Sequence, residues 1–195
     1  TFAVHRFDKT QRKMKKWILR LVTTGLLVAG ILITIILNPT LTYANKTTHS
    51  NFAVFHNQTL DPTLLARLDQ AVELIKLSEF YTPNIQFDIC LNDGSIYPIL
   101  MKKLRGEAFA WGFYNKVILR GTANFRDNHV ELNGYKWNAT QLLAHEMTHC
   151  LQFDALGLRK SKPFADIPNW KWEGYSEYIA RKNIDQRNLS KNIKL

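Results

Sequence analysis

Asn138-Ala139-Thr140-Gln141-Leu142-Leu143-Ala144-His145-Glu146-Met147-Thr148-His149-Cys150-Leu151 is the stretch that decides how this chain is read. It opens as a helix should. Asn138 can accept hydrogen bonds from the first free amides, and Gln141, three residues on, can reach back, which is the pattern of a capping box. The spacing predicts a helix over about 139–154. Within it His145 and His149 are four apart, so their imidazoles stand one above the other and can reach a single metal ion. Glu146 is offset by one residue toward the same cleft, where a carboxylate can take a proton from water on that metal. Leu143, Ala144, Met147, Cys150 and Leu151 fall on the other side of the helical wheel. An amphipathic helix is expected, apolar inward and with its histidines toward a cleft. The His-Glu-x-x-His spacing points to metal-dependent hydrolysis.

A zinc site for hydrolysis needs three protein ligands and one open position. The missing ligand is expected downstream, on a rigid element. Trp170-Lys171-Trp172-Glu173-Gly174-Tyr175-Ser176-Glu177-Tyr178 places two carboxylates four apart, on one face of a helix expected over about 172–186. Carboxylates among so many aromatic residues imply a partner, because burying an unpaired charge is costly.

His-Glu-x-x-His followed some twenty residues later by Trp-Glu-Gly-x-x-Glu-Tyr resembles the glutamate-zinc metallopeptidases, or gluzincins, which include thermolysin-like proteases and a class of aminopeptidases. The resemblance implies that Glu173 is the third zinc ligand beside His145 and His149. It also implies that Glu177 supports a metal-bound histidine from behind, fixing its tautomer. Ala108-Phe109-Ala110-Trp111-Gly112-Phe113 and Lys116–Gly121 read as two strands joined by Tyr114-Asn115. They resemble the edge strand and its neighbour in the thermolysin-like enzymes, where free backbone groups pair with an extended peptide. Backbone groups of Ala108, Phe109, Ala110 and Trp111 are therefore expected to align substrate. The likeness spans roughly residues 105–180. It implies a zincin-like α+β fold: a small mixed sheet with an antiparallel edge strand, packed on the metal helix and a second ligand-bearing helix. The chain also departs from those enzymes. It has no downstream histidine for the transition state, since His149 is the last, and no motif for amino-end preference. Tyr175, Tyr178 and, before the helix, Tyr135 are the tyrosines left for that role.

The 195 residues carry a net charge of +10, unevenly placed. Residues 1–44 hold seven Lys/Arg against one acid, whereas residues 45–195 hold nineteen against fifteen. The basicity is thus largely a leader feature and not a nucleic-acid footprint. Lys102-Lys103-Leu104-Arg105 and Arg159-Lys160-Ser161-Lys162 lack the aromatic interleaving of a strand-binding groove and read as solvated loops. Basic residues from Lys13 to Arg20 precede an apolar run, Leu21 to Leu37, and Thr42-Tyr43-Ala44 offers small residues for a signal peptidase. Cleavage after Ala44 and retention as a single-span anchor are both open; in either case the rest is expected outside the cytoplasm. Residues 1–13 read as a non-native or cytoplasmic extension, 14–44 as signal peptide or anchor, 45–58 as a polar stalk and 59–195 as the catalytic domain.

Cys90 and Cys150 are the only cysteines. An exported protein can hold them as a disulfide, and two buried free thiols are the alternative. Further elements are expected as a helix from Asp61-Pro62 to about Glu79, a strand over 85–91, a short helix over 97–104 and a strand over 128–132. The expected activity is hydrolysis of a peptide or protein substrate with one Zn²⁺ ion and Glu146 as general base. Two rivals share the motif: a zinc-stabilised envelope domain that binds without catalysis, and an amide hydrolase acting on cell-wall peptides.

Overall fold

A computed structural model describes residues 2–182, with the side chains of 2–12 left aside; the expected end of the last helix, 183–186, lies outside the described residues. The chain divides into two units, 1–41 and 42–195. The first is one long helix, α1 (Phe2–Leu37), followed by a short 3-10 turn, Pro39–Leu41. Its segment Lys13–Leu37 is long and apolar enough to cross a membrane and could equally be a signal sequence. The hydroxyls of Thr23 and Thr34 donate back to the carbonyls of Leu19 and Gly30, each at 2.8 Å. Polar side chains in an apolar span are satisfied in this way without any outside partner.

The second unit is α+β. Its first surprise is 45–58, expected as a polar stalk. Asn45–His49 (β1) and Phe52–His56 (β2) instead form an antiparallel hairpin, with Phe52, Val54 and Phe55 buried. Polar Asn-Lys-Thr-Thr-His conceals a strand because β1 is an edge, mostly exposed, that needs little apolar content. The helix from Asp61-Pro62 is shorter than expected, α2 (Thr63–Ile75). There follow β3 (Phe87–Cys90), α3 (Tyr97–Arg105), β4 (Ala110–Phe113) and β5 (Lys116–Leu119). The five strands form one mixed sheet in the order β1-β2-β3-β5-β4. The β2/β3 and β3/β5 pairs are parallel and the two outer pairs antiparallel. The turn Tyr114-Asn115 between β4 and β5 places Tyr114 at φ 58°, the left-handed region a tight hairpin requires.

A second, three-stranded antiparallel sheet of β6 (Thr122–Asn124), β7 (His129–Leu132) and β8 (Tyr135–Asn138) feeds directly into α4 (Ala139–Leu156). Asn138 Oδ1 accepts from Gln141 N at 3.0 Å, as expected. Tertiary structure caps the next two amides: Asn128 accepts from Ala139 N through its carbonyl and from Thr140 N through its side chain, both at 3.0 Å. After a 3-10 turn at Leu158–Lys160, α5 (Asn169–Arg181) completes the described chain.

Helix α4 turns its apolar arc inward and its histidines to a cleft, as its wheel suggests, and is more enclosed than that pattern alone requires. Every residue from Leu142 to Phe153 is buried, the histidines included. It packs against α2, α5, β4 and β5, so its apolar arc meets the core while the other arc meets a cleft wall instead of water. Leu142, Leu143, Met147 and Leu151 join Leu64, Leu68 and Ile75 of α2 and Val54, Ile89 and Val117 of the sheet in one core that lies wholly within 42–195. Cys90 and Cys150 are buried free thiols, which excludes the disulfide alternative here. Burial pushes both thiols above their ordinary range, so neither is a ready nucleophile.

Candidate metal centre

One turn of α4 brings His145 and His149 together, and α5 carries Glu173 across to them. His145 Nε2 and His149 Nε2 are 3.2 Å apart. Glu173 Oε2 lies 3.3 Å from the first and 3.2 Å from the second. The three ligand atoms thus form a nearly equilateral triangle. A cation about 2.0–2.1 Å from each of three such atoms, at tetrahedral angles, sets them roughly 3.3 Å apart. The residues present therefore fit a tetrahedral ion such as zinc, and among the described residues this cluster is a group that could hold a metal ion.

Burial pushes the His145 pKa down, but hydrogen bonding to Glu173 and Glu177 overrides it and raises the value to about 9. Contact with His145 and His149 holds the Glu173 carboxyl well below the usual carboxylate range.

Both histidines are braced from behind. His149 Nδ1 lies 3.0 Å from Gln152 Oε1 and 3.1 Å from Ser176 Oγ. Donation from Nδ1–H leaves the Nε2 lone pair facing the triangle. His145 Nδ1 makes an ion-pair contact of 3.3 Å with Glu177 Oε2, and Glu177 is in turn paired with Arg181. Trp172 stacks on His149, with ring centroids 5.4 Å apart and planes 14° apart, and Trp137 meets His145 edge-on. Glu177→Gln is expected to weaken metal binding about 10–100-fold while the fold persists. Competition with a zinc-sensitive dye measures it, and unchanged affinity would remove Glu177 from this role.

Glu146 is buried, and its Oε2 accepts from Gly112 N at 2.5 Å. This bond welds the general-base candidate to β4, the free edge of the sheet. Phe109 O accepts from the Arg120 and Gly121 amides, so alternation turns Ala110 and Gly112 to the open side. Both outward groups of Gly112 are engaged, the amide by Glu146 and the carbonyl by Arg105 Nη1 at 3.3 Å. The expected backbone aligners Ala108, Phe109, Ala110 and Trp111 all line the cleft, but of these only Ala110 lies on β4 facing outward.

The cleft has a volume of about 580 Å³, and the ligand triangle and Glu146 open into it. The tyrosines do not. Tyr175 OH is 2.8 Å from Ser78 Oγ and its ring packs on Phe80. Tyr178 is 48% exposed, with Lys182 Nζ over its ring, and Tyr135 is 74% exposed on β8. On α5, Glu173 and Glu177 share a face, whereas residues 175 and 178 point well round the helix from Glu173. The expectation that one of these tyrosines reaches the reacting group is therefore corrected. In their place the cleft contains Arg105, which the sequence put in a solvated loop, and Trp137, whose indole N–H is buried without a hydrogen-bond partner. No local pattern marks either: Arg105 ends α3 and reaches the cleft only because β4 folds back beside it.

Comparison of the chain with models of protein families, with curated proteins and with solved structures returned no match.

Proposed function

We propose that the chain is an extracytoplasmic zinc-dependent peptidase with a zincin-like fold, related in chemistry to the gluzincins. The observation that carries this reading is the near-equilateral triangle of His145, His149 and Glu173 ligand atoms, opening onto a cleft beside Glu146. A structural zinc site closes its coordination with a fourth protein ligand; here the described cluster has three. A carboxylate held next to such a cluster has a use in hydrolysis and none in a purely structural site. Zinc, when bound, supplies Lewis-acid chemistry, polarising a carbonyl and acidifying water.

The chain's own groups do the rest. Glu146 Oε2 is anchored on the Gly112 amide, so Oε1 is the atom free to accept the proton of an attacking water and to return it to the leaving amine. The outward backbone of Ala110 offers a short stretch of strand pairing to an extended peptide. Arg105, at the rim, has N–H donors beyond the one spent on Gly112 O, suited to a carbonyl oxygen that gains charge. Trp172 shields the face of His149 from water. The apolar helix at the N-terminus supports export, whether as signal or as anchor.

The test uses residues 42–195, stripped with a chelator and then titrated with zinc. One ion is expected to bind per chain and cleavage of an unfolded protein such as casein to appear with it. A zinc-loaded, folded domain that cleaves neither unfolded proteins nor peptides would overturn the reading.

A further inference from the structure

The segment 157–171, which joins α4 to α5 and includes the first three residues of α5, presents large apolar side chains to water and is basic. Trp170 is 72% exposed, Phe164 62% and Leu158 48%. Four cations, Arg159, Lys160, Lys162 and Lys171, stand against one acid, Asp166. Residues 45–195 hold nineteen Lys/Arg against fifteen acids, so this short segment carries most of that region's positive excess. The exposure is built in by the backbone. Buried Ser161 donates to Gly157 O at 2.9 Å and accepts the Phe164 and Ala165 amides on its carbonyl at 2.9 Å. Lys162 Nζ contacts Asn169 Oδ1, tying the middle of the segment to the start of α5. Lys171 Nζ sits 5.4 Å from the centroid of the Trp170 ring. A loop pinned in this way holds its aromatic tips outward, although the core of α4 lies next to it.

Exposed aromatic rings set among lysines match the interfacial zone of a bilayer, where amphipathic rings sit at the headgroup level and cations meet lipid phosphates. We propose that the 157–171 loop is a membrane-contact surface for anionic lipid. A soluble acidic protein would satisfy the cations but would leave Phe164 and Leu158 without an apolar medium. The loop leads straight into Trp172 and Glu173, so lipid contact would bring the cleft close to the membrane surface. This inference stands apart from the peptidase reading, and its test needs no catalysis.

Folded residues 42–195, checked by thermal melting, are mixed with vesicles of phosphatidylcholine alone or of equal parts phosphatidylcholine and phosphatidylglycerol, and bound protein is measured by flotation. Binding is expected on the anionic vesicles, and to weaken as salt is raised. The pair Phe164→Ser with Trp170→Ser and the pair Arg159→Glu with Lys160→Glu are each expected to lower partitioning by about tenfold or more. Neither pair touches the core, so both should melt like the parent. No preference for anionic vesicles would overturn the proposal, as would undiminished binding by both variants.

Discussion

Glu146→Gln is expected to fold and bind zinc as the parent does, and to lose hydrolysis by a factor of about 10²–10⁴, the usual contribution of a positioned general base. The substitution is nearly isosteric, and the amide oxygen of glutamine can still accept from Gly112 N, so the bond that ties α4 to β4 survives. The ligand triangle of His145, His149 and Glu173 is untouched. What disappears is an oxygen basic enough to take a proton from water. The measurement pairs metal content with initial rates on the same preparation. A metal-loaded, folded variant that cleaves as fast as the parent would reassign the base.

The second large effect comes from removing no functional group at all. Gly112→Ala is expected to destabilise the domain by about 3 kcal/mol or more, or to prevent folding. A Cβ at residue 112 would meet the main-chain carbonyl oxygen of Glu146 and come within 2.8 Å of His149 Cβ. These atoms belong to the most buried helix of the protein and cannot swing aside as a flexible side chain could. Strand β4 would have to leave α4, breaking the Gly112–Glu146 bond and shifting the second histidine together with its ligand atom. Gly174→Ala is the contrast. It lies in α5 with nothing within 4 Å of the added carbon, so it should raise stability by about 0.5–1 kcal/mol through helix propensity. Chemical denaturation of the two variants separates the cases. Equal stabilities would mean that β4 and α4 are not in this close approach.

The candidate metal cluster was largely legible because its signals are local. His145 and His149 sit four apart on a helix whose start Asn138 announces, and a periodicity of 3.6 residues turns that spacing into a shared face. Glu173 and Glu177 follow the same rule on α5. Only their meeting with the histidines is non-local, and there the resemblance to a family supplied the expectation. The hairpin at 45–56 was missed for the opposite reason. An edge strand is stabilised by hydrogen bonds to its neighbour, so its side chains need show no apolar alternation. The tyrosines misled because nearness in sequence to a ligand says little about direction. Two residues along a helix from Glu173, Tyr175 faces Ser78 and Phe80 instead of the cleft.

The sequence by itself determined the apolar N-terminal helix, the helices and several of the strands around the cluster, and the spacing of its chemically competent side chains. Those follow from interactions within a few residues, which a linear pattern records. Tertiary structure alone decided which faces became buried. It packed α4 against α2, α5, β4 and β5 with only the cleft left open, set Asn128 as its second cap, and brought Arg105 and Trp137 to the cleft. It also used the missing side chain of Gly112 to bring strand and metal helix into contact. These depend on where the chain returns to itself, and packing between distant segments leaves no periodic mark in any one of them.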